Sequence, residues 1–165
     1  MFEPGQTTPS RFLTDSRASG FDFITLDSEG NLYASVEKGS TTSIFEWRKG
    51  RGKAHDLGFS FDYAAGLRLT AAGDIALCTT TDLVHYQCGK VTNHSRTFTP
   101  YFSSGGYQIS FGPGETQLFV SDSSVDEWNW PGAQSQWSNV FQLPTLGYGV
   151  AVYPPDPFGA PYSPE

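Results

Sequence analysis

Basic residues are scarce in this chain of 165 residues, which has 10 Lys and Arg against 17 Asp and Glu and a formal net charge of −7. Nucleic-acid binding needs clustered cations that neutralise phosphates. The one basic run, at 48–53, is short and interrupted by glycine, which is typical of a solvated turn, with an anion contact as the alternative. The charge balance therefore argues against a nucleic-acid partner.

Long apolar segments are also missing. No stretch approaches the roughly 18 residues that cross a membrane, and the polar start has no apolar signal-peptide core. We therefore expect no membrane contact and a cytoplasmic location. An apolar period of 3.6 residues is absent too, whereas 18 glycines, 11 prolines and 15% aromatic residues indicate short strands joined by tight turns.

Only two cysteines are present, Cys78 and Cys88, which is too few for a disulfide framework or a metal cluster. A tight turn near Asp82 would place them out of register on the two arms of a hairpin. We therefore expect buried free thiols, with a disulfide or a catalytic thiol as the alternatives. The three histidines are scattered and show no metal-ligand spacing.

A repeat of about 42 residues runs through the sequence. Ile24, Leu67 and Ile109 occupy the same place in three copies, 43 and 42 residues apart. Each copy has an apolar strand, a turn rich in Asp, Gly or Pro, a second apolar strand, a third strand with an aromatic residue, and a fourth strand. The third strand of the second copy is predicted at 83–86, followed by a turn at Gly89. Four short antiparallel strands per repeat are typical of a β-propeller blade. The innermost strands are predicted at 23–27, 66–70 and 108–112.

The repeat predicts a single all-β, propeller-like domain. Its blades are predicted at 15–58, 59–100 and 101–144, followed by a partial blade and a proline-rich tail at 145–165. Three blades and two strands of another do not close a ring, because closed propellers have about four to eight blades. Open sheet faces would expose apolar surface and unpaired edges. Self-association, a partner chain or a missing sequence would complete the propeller. Of these we expect self-association, most simply a dimer.

The sequence resembles the gluconolactonase and strictosidine-synthase-like propellers, a group that includes the senescence marker protein type. The segment 111–123, which reads FGPGETQLFVSDS, is similar to a recurrent hairpin of that family, and segments 65–74 and 83–92 fit its next two hairpins. The resemblance covers roughly residues 20 to 153 and implies a six-bladed propeller. The turn from Asp27 to Tyr33 is also similar to the turns of tachylectin-type lectins.

The resembled family holds a metal with a Glu, an Asn and an Asp where innermost strands begin. The approximately matching positions here are Asp22, Ala65, Tyr107 and Tyr148. Of these four, only Asp22 has an oxygen atom suited to binding a metal. Asp122 matches another aspartate of the family, but a single further carboxylate does not make a metal site. The departure predicts no bound metal and argues against metal-dependent lactonase chemistry.

The remaining candidates are polar and aromatic residues at the strand starts around the channel mouth. The candidate catalytic residues are Asp22, Tyr107 and Tyr148, and the candidate ligand-binding residues are Asp62, Tyr63, Gln108 and Trp128. Glycines beside these tyrosines leave room next to an aromatic wall, as in a pocket for a mostly apolar ligand; packing between blades is the alternative. An aspartate whose pKa is raised by burial can serve as general base, and a carboxylate that caps loop amides is the alternative.

Three functions are compatible with this pattern. The leading hypothesis is a protein without metal or cofactor that binds or transforms a small, largely apolar organic molecule. Biosynthetic cyclases among the resembled propellers act in this way, by positioning the substrate. The second is a carbohydrate-binding lectin, because Trp128, Trp130 and Trp137 lie close together. The third is a non-enzymatic interaction module or an inactive propeller fragment, which the incomplete blade count favours. Fold analogy alone does not choose among them.

Overall fold

A computed structural model of the protein describes residues 12–80, 86–92, 97–103, 106–121, 124–132 and 137–142. These residues form β-strands and short 3-10 turns, with no α-helix among them. The strands make three antiparallel sheets of four, and within each sheet neighbouring strands are consecutive in the chain. The all-β class and the three four-stranded sheets predicted from the repeat are confirmed.

The three sheets follow one another along the chain. Sheet 1 contains β1 (Gly20–Leu26), β2 (Leu32–Lys38), β3 (Thr41–Trp47) and β4 (His55–Asp56). Sheet 2 contains β5 (Tyr63–Leu69), β6 (Ile75–Thr80), β7 (Tyr86–Val91) and β8 (Phe98–Phe102). Sheet 3 contains β9 (Gln108–Phe111), β10 (Gln117–Ser121), β11 (Ser124–Asn129) and β12 (Trp137–Gln142). The first strands β1, β5 and β9 overlap the predicted innermost strands.

The third strand of sheet 2 extends further along the chain than the repeat predicts. The sequence places it at 83–86 with a turn at Gly89, whereas Gly89 lies inside β7, at a register shift against β8. A Cβ on Gly89 would lie 2.2 Å from the backbone oxygen of Thr99. The glycine therefore permits close approach of β8 and does not form the turn.

Cys78 and Cys88 form a disulfide, with 4.0 Å between their Cα atoms, so the expectation of free thiols is wrong. It failed because the third strand was placed too early, which put the two cysteines out of register. In the structure they are direct register partners on β6 and β7. Both are buried in the core between sheets 2 and 3.

Side-chain carboxylates organise the turns that follow the first strands. Asp27 accepts hydrogen bonds from the backbone N–H groups of Glu29 at 3.0 Å and Asn31 at 2.7 Å, as in an Asx-turn. In the turn of sheet 3, Glu115 accepts the backbone N–H of Ala71 from the turn of sheet 2 at 2.6 Å. The turns of neighbouring sheets are therefore joined directly.

Consecutive sheets pack face to face through two apolar clusters. Between sheets 1 and 2 lie Tyr33, Ile44, Phe61, Ala64, Leu67, Leu69, Ile75, Leu77 and Val91. Between sheets 2 and 3 lie Ala76, Cys78, Cys88, Phe102, Ile109, Phe111, Leu118, Val120, Trp128 and Trp130. Strand β1 lies against β5, and β5 lies against β9. The first strands are therefore neighbours across the sheet boundaries.

Gly66 lies at a point where β5 closely approaches β9. Its φ is +61°, and a Cβ there would lie 2.9 Å from Cγ2 of Ile109. A side chain at this position would strain the backbone and also overpack the contact between two sheets.

We expect Gly66→Ala to destabilise the protein by about 2–4 kcal/mol, as the sum of backbone strain and overpacking. Gly73→Ala is the matched control, because Gly73 also has a positive φ of +81° but a Cβ there would meet no other atom within 4 Å, so only the strain of about 1–2 kcal/mol applies. Urea unfolding of both variants measures the difference. Equal losses of unfolding free energy in the two variants would show that the close approach of β5 to β9 contributes nothing to stability.

Reduction of the disulfide should lower the free energy of unfolding by about 2–3 kcal/mol, because the bond closes a short loop between residues separated by 10 positions. The measurement is urea unfolding with and without reductant. A Cys78→Ala, Cys88→Ala double variant serves as control and should not respond to reductant. Two reactive thiols in the unreduced, denatured wild type would contradict the disulfide.

Candidate functional site

The starts of the three first strands bring polar side chains from three sheets to one end of the molecule. Asp22 lies at the register shift of β1 between Phe21 and Ile24. Tyr63 is the first residue of β5. Tyr107 directly precedes β9, and its backbone N–H donates to the carbonyl of Ser121 at 2.9 Å. These positions place one candidate residue from each sheet at the same end.

Electrostatic coupling shows that these side chains are close to one another. Burial raises the pKa of Tyr63, and the negative charge of Asp22 raises it further. Smaller contributions come from Tyr107, Tyr86 and Glu37. Strand β5, which begins at Tyr63, lies against both β1 and β9, so Asp22 and Tyr107 are at the starts of the strands next to it and their charges act on Tyr63 at short range. The structure therefore brings together three of the residues that the sequence predicts for the site.

Glu37 and Tyr86 also belong to this cluster, and the sequence reasoning missed them. Glu37 lies near the end of β2 and pairs with Gly20, where a Cβ would come within 2.5 Å of its Oε2 atom. Gly20 thus leaves room for the carboxylate. Tyr86 opens β7 and is 39% exposed. Both residues lie beside hairpins at the end of the sheets where the first strands begin. With the third strand of sheet 2 correctly placed, that position is the sequence signal that identifies them as members of the cluster.

Asp22 is exposed by its accessible surface. Partial desolvation nevertheless raises the pKa of its carboxyl above the usual range, and the negative charge of Glu37 raises it further. Both effects disfavour the ionised form. The carboxyl of Asp22 is therefore more easily protonated than an ordinary aspartate, which suits a group that exchanges a proton or accepts a cation.

A buried hydroxyl lies next to the tyrosines. Thr80 is the register partner of both Tyr63 and Tyr86, and directly opposed residues project from the same face of a sheet. Thr80 is 1% exposed, and its Oγ1 has no hydrogen-bond partner within the described part of the chain. Buried polar atoms without a partner are uncommon. The hydroxyl can donate to, or accept from, a molecule bound beside Tyr63.

The other predicted residues have different environments. Asp62 and Gln108 are half-buried at the starts of β5 and β9, at the same end as the cluster. Trp128, predicted to bind ligand, is instead a core residue, stacked on Phe102 with 4.1 Å between ring centroids, which is the packing alternative. Tyr148 lies outside the described residues.

No protein-family model matches this chain, and no curated protein matches it. Among the residues that the structure describes, no group of three or more His, Cys, Asp or Glu side chains is arranged to hold a metal ion. Within the same residues, no helix has the length and apolarity needed to cross a membrane.

Replacing Asp22 by Asn should raise stability at pH 7 and change it little at about pH 3. The pKa of Asp22 is raised in the folded state, so its stabilising contribution is present below the unfolded-state pKa and is lost as the pH rises through the folded-state value. The asparagine side chain is neutral at both pH values, so the variant does not lose this stability as the pH rises. Urea unfolding at the two pH values measures the effect.

Asp15→Asn is a control of opposite sign. Hydrogen bonds from Arg17 lower the pKa of Asp15 to about 2, so its stabilising contribution is present above the unfolded-state pKa and is lost as the pH falls through about 2. Asp15→Asn should therefore lower stability at pH 7. If both variants were destabilised at pH 7, the unfavourable environment assigned to Asp22 would be wrong.

Proposed function

We propose that the end of the sheets carrying Asp22, Tyr63 and Tyr107 binds a small, largely apolar organic molecule that bears a positive charge. The observation that carries this proposal is that β1, β5 and β9 lie side by side, which places Asp22, Tyr63 and Tyr107, one residue from each sheet, at neighbouring strand starts. A structural role for any one of them would not require the other two. Residues from separate elements that converge at one place are the usual composition of a ligand site.

The charges at this end favour a cationic ligand. The pKa of Asp22 is raised by burial and by Glu37, so the two carboxylates repel each other where solvent screens them incompletely. A bound cation would relieve that repulsion. The tyrosine rings add to the attraction, since the faces of aromatic rings bind organic cations.

The same residues are suited to catalysis by positioning. Asp22 would act as the acid–base group, because its raised pKa brings proton exchange closer to neutral pH. The hydroxyls of Tyr63 and Tyr107 would orient the ligand by hydrogen bonding, and Thr80 would supply a further polar contact. No metal has a role in this proposal.

The proposal includes a propeller-like arrangement of the kind found in gluconolactonase-like proteins. Support comes from three consecutive four-stranded sheets that pack face to face, with β1, β5 and β9 adjacent. In a propeller these would be the innermost strands, and their starts would surround one mouth of the central channel.

The lectin hypothesis has less support. Trp128 and Trp130, two of the three tryptophans on which it is based, are buried, so their rings offer no exposed face for stacking a sugar, and the side chain of Trp137 lies outside the described part of the structure. An interaction module has a specific observation in its favour, namely the exposed apolar side chains of β1.

Choline and its uncharged analogue 3,3-dimethylbutanol test the proposed site by isothermal titration calorimetry. We expect choline to bind with a dissociation constant of about 1 mM and the neutral analogue to bind at least about tenfold more weakly. Asp22→Asn should weaken choline binding about tenfold. Glu29→Gln, which removes an exposed carboxylate at the opposite end of β1, is the matched control and should bind normally. Equal affinity for both compounds, or no effect of Asp22→Asn, would contradict the proposal.

A further inference from the structure

One face of sheet 2 carries a row of three hydroxyl-bearing side chains at the end where β5 begins. Thr80 on β6 is the register partner of Tyr63 on β5 and of Tyr86 on β7. The next residues on the same face are Cys78 and Cys88, because side chains on one face of a strand recur at every second residue. Both cysteines belong to the core between sheets 2 and 3. The row of Thr80 therefore continues that core face toward the candidate site.

Burial differs strongly across this row. Thr80 is 1% exposed, whereas Tyr86 is 39% exposed and Tyr63 is half-buried. The row is thus closed at its centre and open toward β7. The hydroxyl of Thr80 lies at the base of the row, and the ring of Tyr86 lies at its rim.

Two neighbouring threonines of β6 are equally buried but differ in their hydrogen bonds. Thr79 projects from the opposite face of the sheet, and its hydroxyl donates to the backbone carbonyl of Tyr63 at 2.6 Å. The Oγ1 atom of Thr80 has no hydrogen-bond partner among the residues that the structure describes, and a buried hydroxyl without a partner is unfavourable. Valine has nearly the same shape and needs no partner, so it would suit position 80 better if stability alone decided.

We propose that Thr80 is a specificity-determining residue of the candidate site, which selects cationic ligands that carry a hydroxyl or carbonyl oxygen close to the charged nitrogen. The inference rests on the proposed function, because it requires that a cation binds beside Asp22. A threonine hydroxyl can donate and accept a hydrogen bond, so either kind of oxygen can pair with it.

Tyr63 lies between the two groups that such a ligand would contact. On one side β5 lies against β1, which carries Asp22, and burial followed by the negative charge of Asp22 raises the pKa of Tyr63. On the other side Thr80 is directly opposite Tyr63, which places their Cβ atoms about 5 Å apart. Because Thr80 is buried, the ring of Tyr86 has to turn aside as a ligand enters, and exposed side chains change rotamer readily.

The selection follows from the hydrogen-bonding capacity of the Thr80 hydroxyl. A ligand oxygen beside it supplies the partner that the described part of the chain lacks. An alkyl group of the same size leaves the hydroxyl buried without a partner, and sites with such a polar group discriminate against analogues that do not pair with it. Choline and n-propyltrimethylammonium are a suitable pair of probes, because they share the cation and nearly the same size and differ in a hydroxyl against a methyl group.

Isothermal titration calorimetry of the full chain with these two cations tests the inference. The wild type should bind choline about fivefold more tightly than n-propyltrimethylammonium, as expected for one hydrogen bond between neutral groups. Thr80→Val, which removes the hydroxyl and keeps the shape, should bring the two affinities to within about twofold of each other. Thr80→Ser keeps the hydroxyl and should keep the preference. Thr79→Val is the matched control and should also keep the preference, because the hydroxyl of Thr79 is bonded within the sheet.

Urea unfolding without ligand separates a role in specificity from a role in stability. Thr79→Val should lower the unfolding midpoint, whereas Thr80→Val should leave it unchanged or raise it, because it removes a buried polar atom. A lower midpoint for Thr80→Val would show that the protein itself pairs with this hydroxyl and would overturn the inference.

The binding data distinguish this inference from the proposed function. Equal affinities of the wild type for the two cations, or a preference that survives in Thr80→Val, would overturn the role of Thr80 and leave the cation site in place. A wild type that binds neither cation would overturn the proposed function and this inference with it.

Discussion

Packing of each sheet against the one before it depends on apolar side chains of the first strands. Leu67 and Ile109 are buried because a preceding sheet lies over them, and Gly66 permits the close approach of β5 to β9. Burial of such side chains is the main favourable term in folding. Where no sheet precedes within the described residues, as at Ile24, the same residue type is left at the surface. The contact between sheets thus determines both the core and the exposed apolar side chains of β1.

Pairing within sheet 1 and packing between sheets together create an unfavourable environment for polar groups at the strand starts. The pairing of β1 with β2 brings Asp22 and Glu37 within electrostatic reach, and partial burial raises the pKa of Asp22. Tyr63 is affected in the same direction by burial and by Asp22. A fold that gained only stability would not need these groups together. Their proximity is the physical basis of the proposed ligand site.

The disulfide adds a covalent link within sheet 2 and bears on where the protein works. Cys78 and Cys88 are buried in the core between sheets 2 and 3, so the bond supports the packing on which Ile109 depends. Disulfides persist mainly in oxidising compartments. The bond therefore argues against the cytoplasmic location expected from the sequence.

The sequence by itself determined the all-β class, the repeat and the first strands, because strand periodicity and turn residues are local signals. It also identified Asp22, Tyr63 and Tyr107 as strand starts at one end. Only the tertiary structure decided the partners: the pairing of Cys78 with Cys88, the burial of Trp128 and the addition of Glu37 to the site. Register and face-to-face packing join residues distant in the chain, and one misplaced strand changes the pairings within its own sheet. For that reason Gly89 read as a turn in the sequence and proved to be a point of close strand approach.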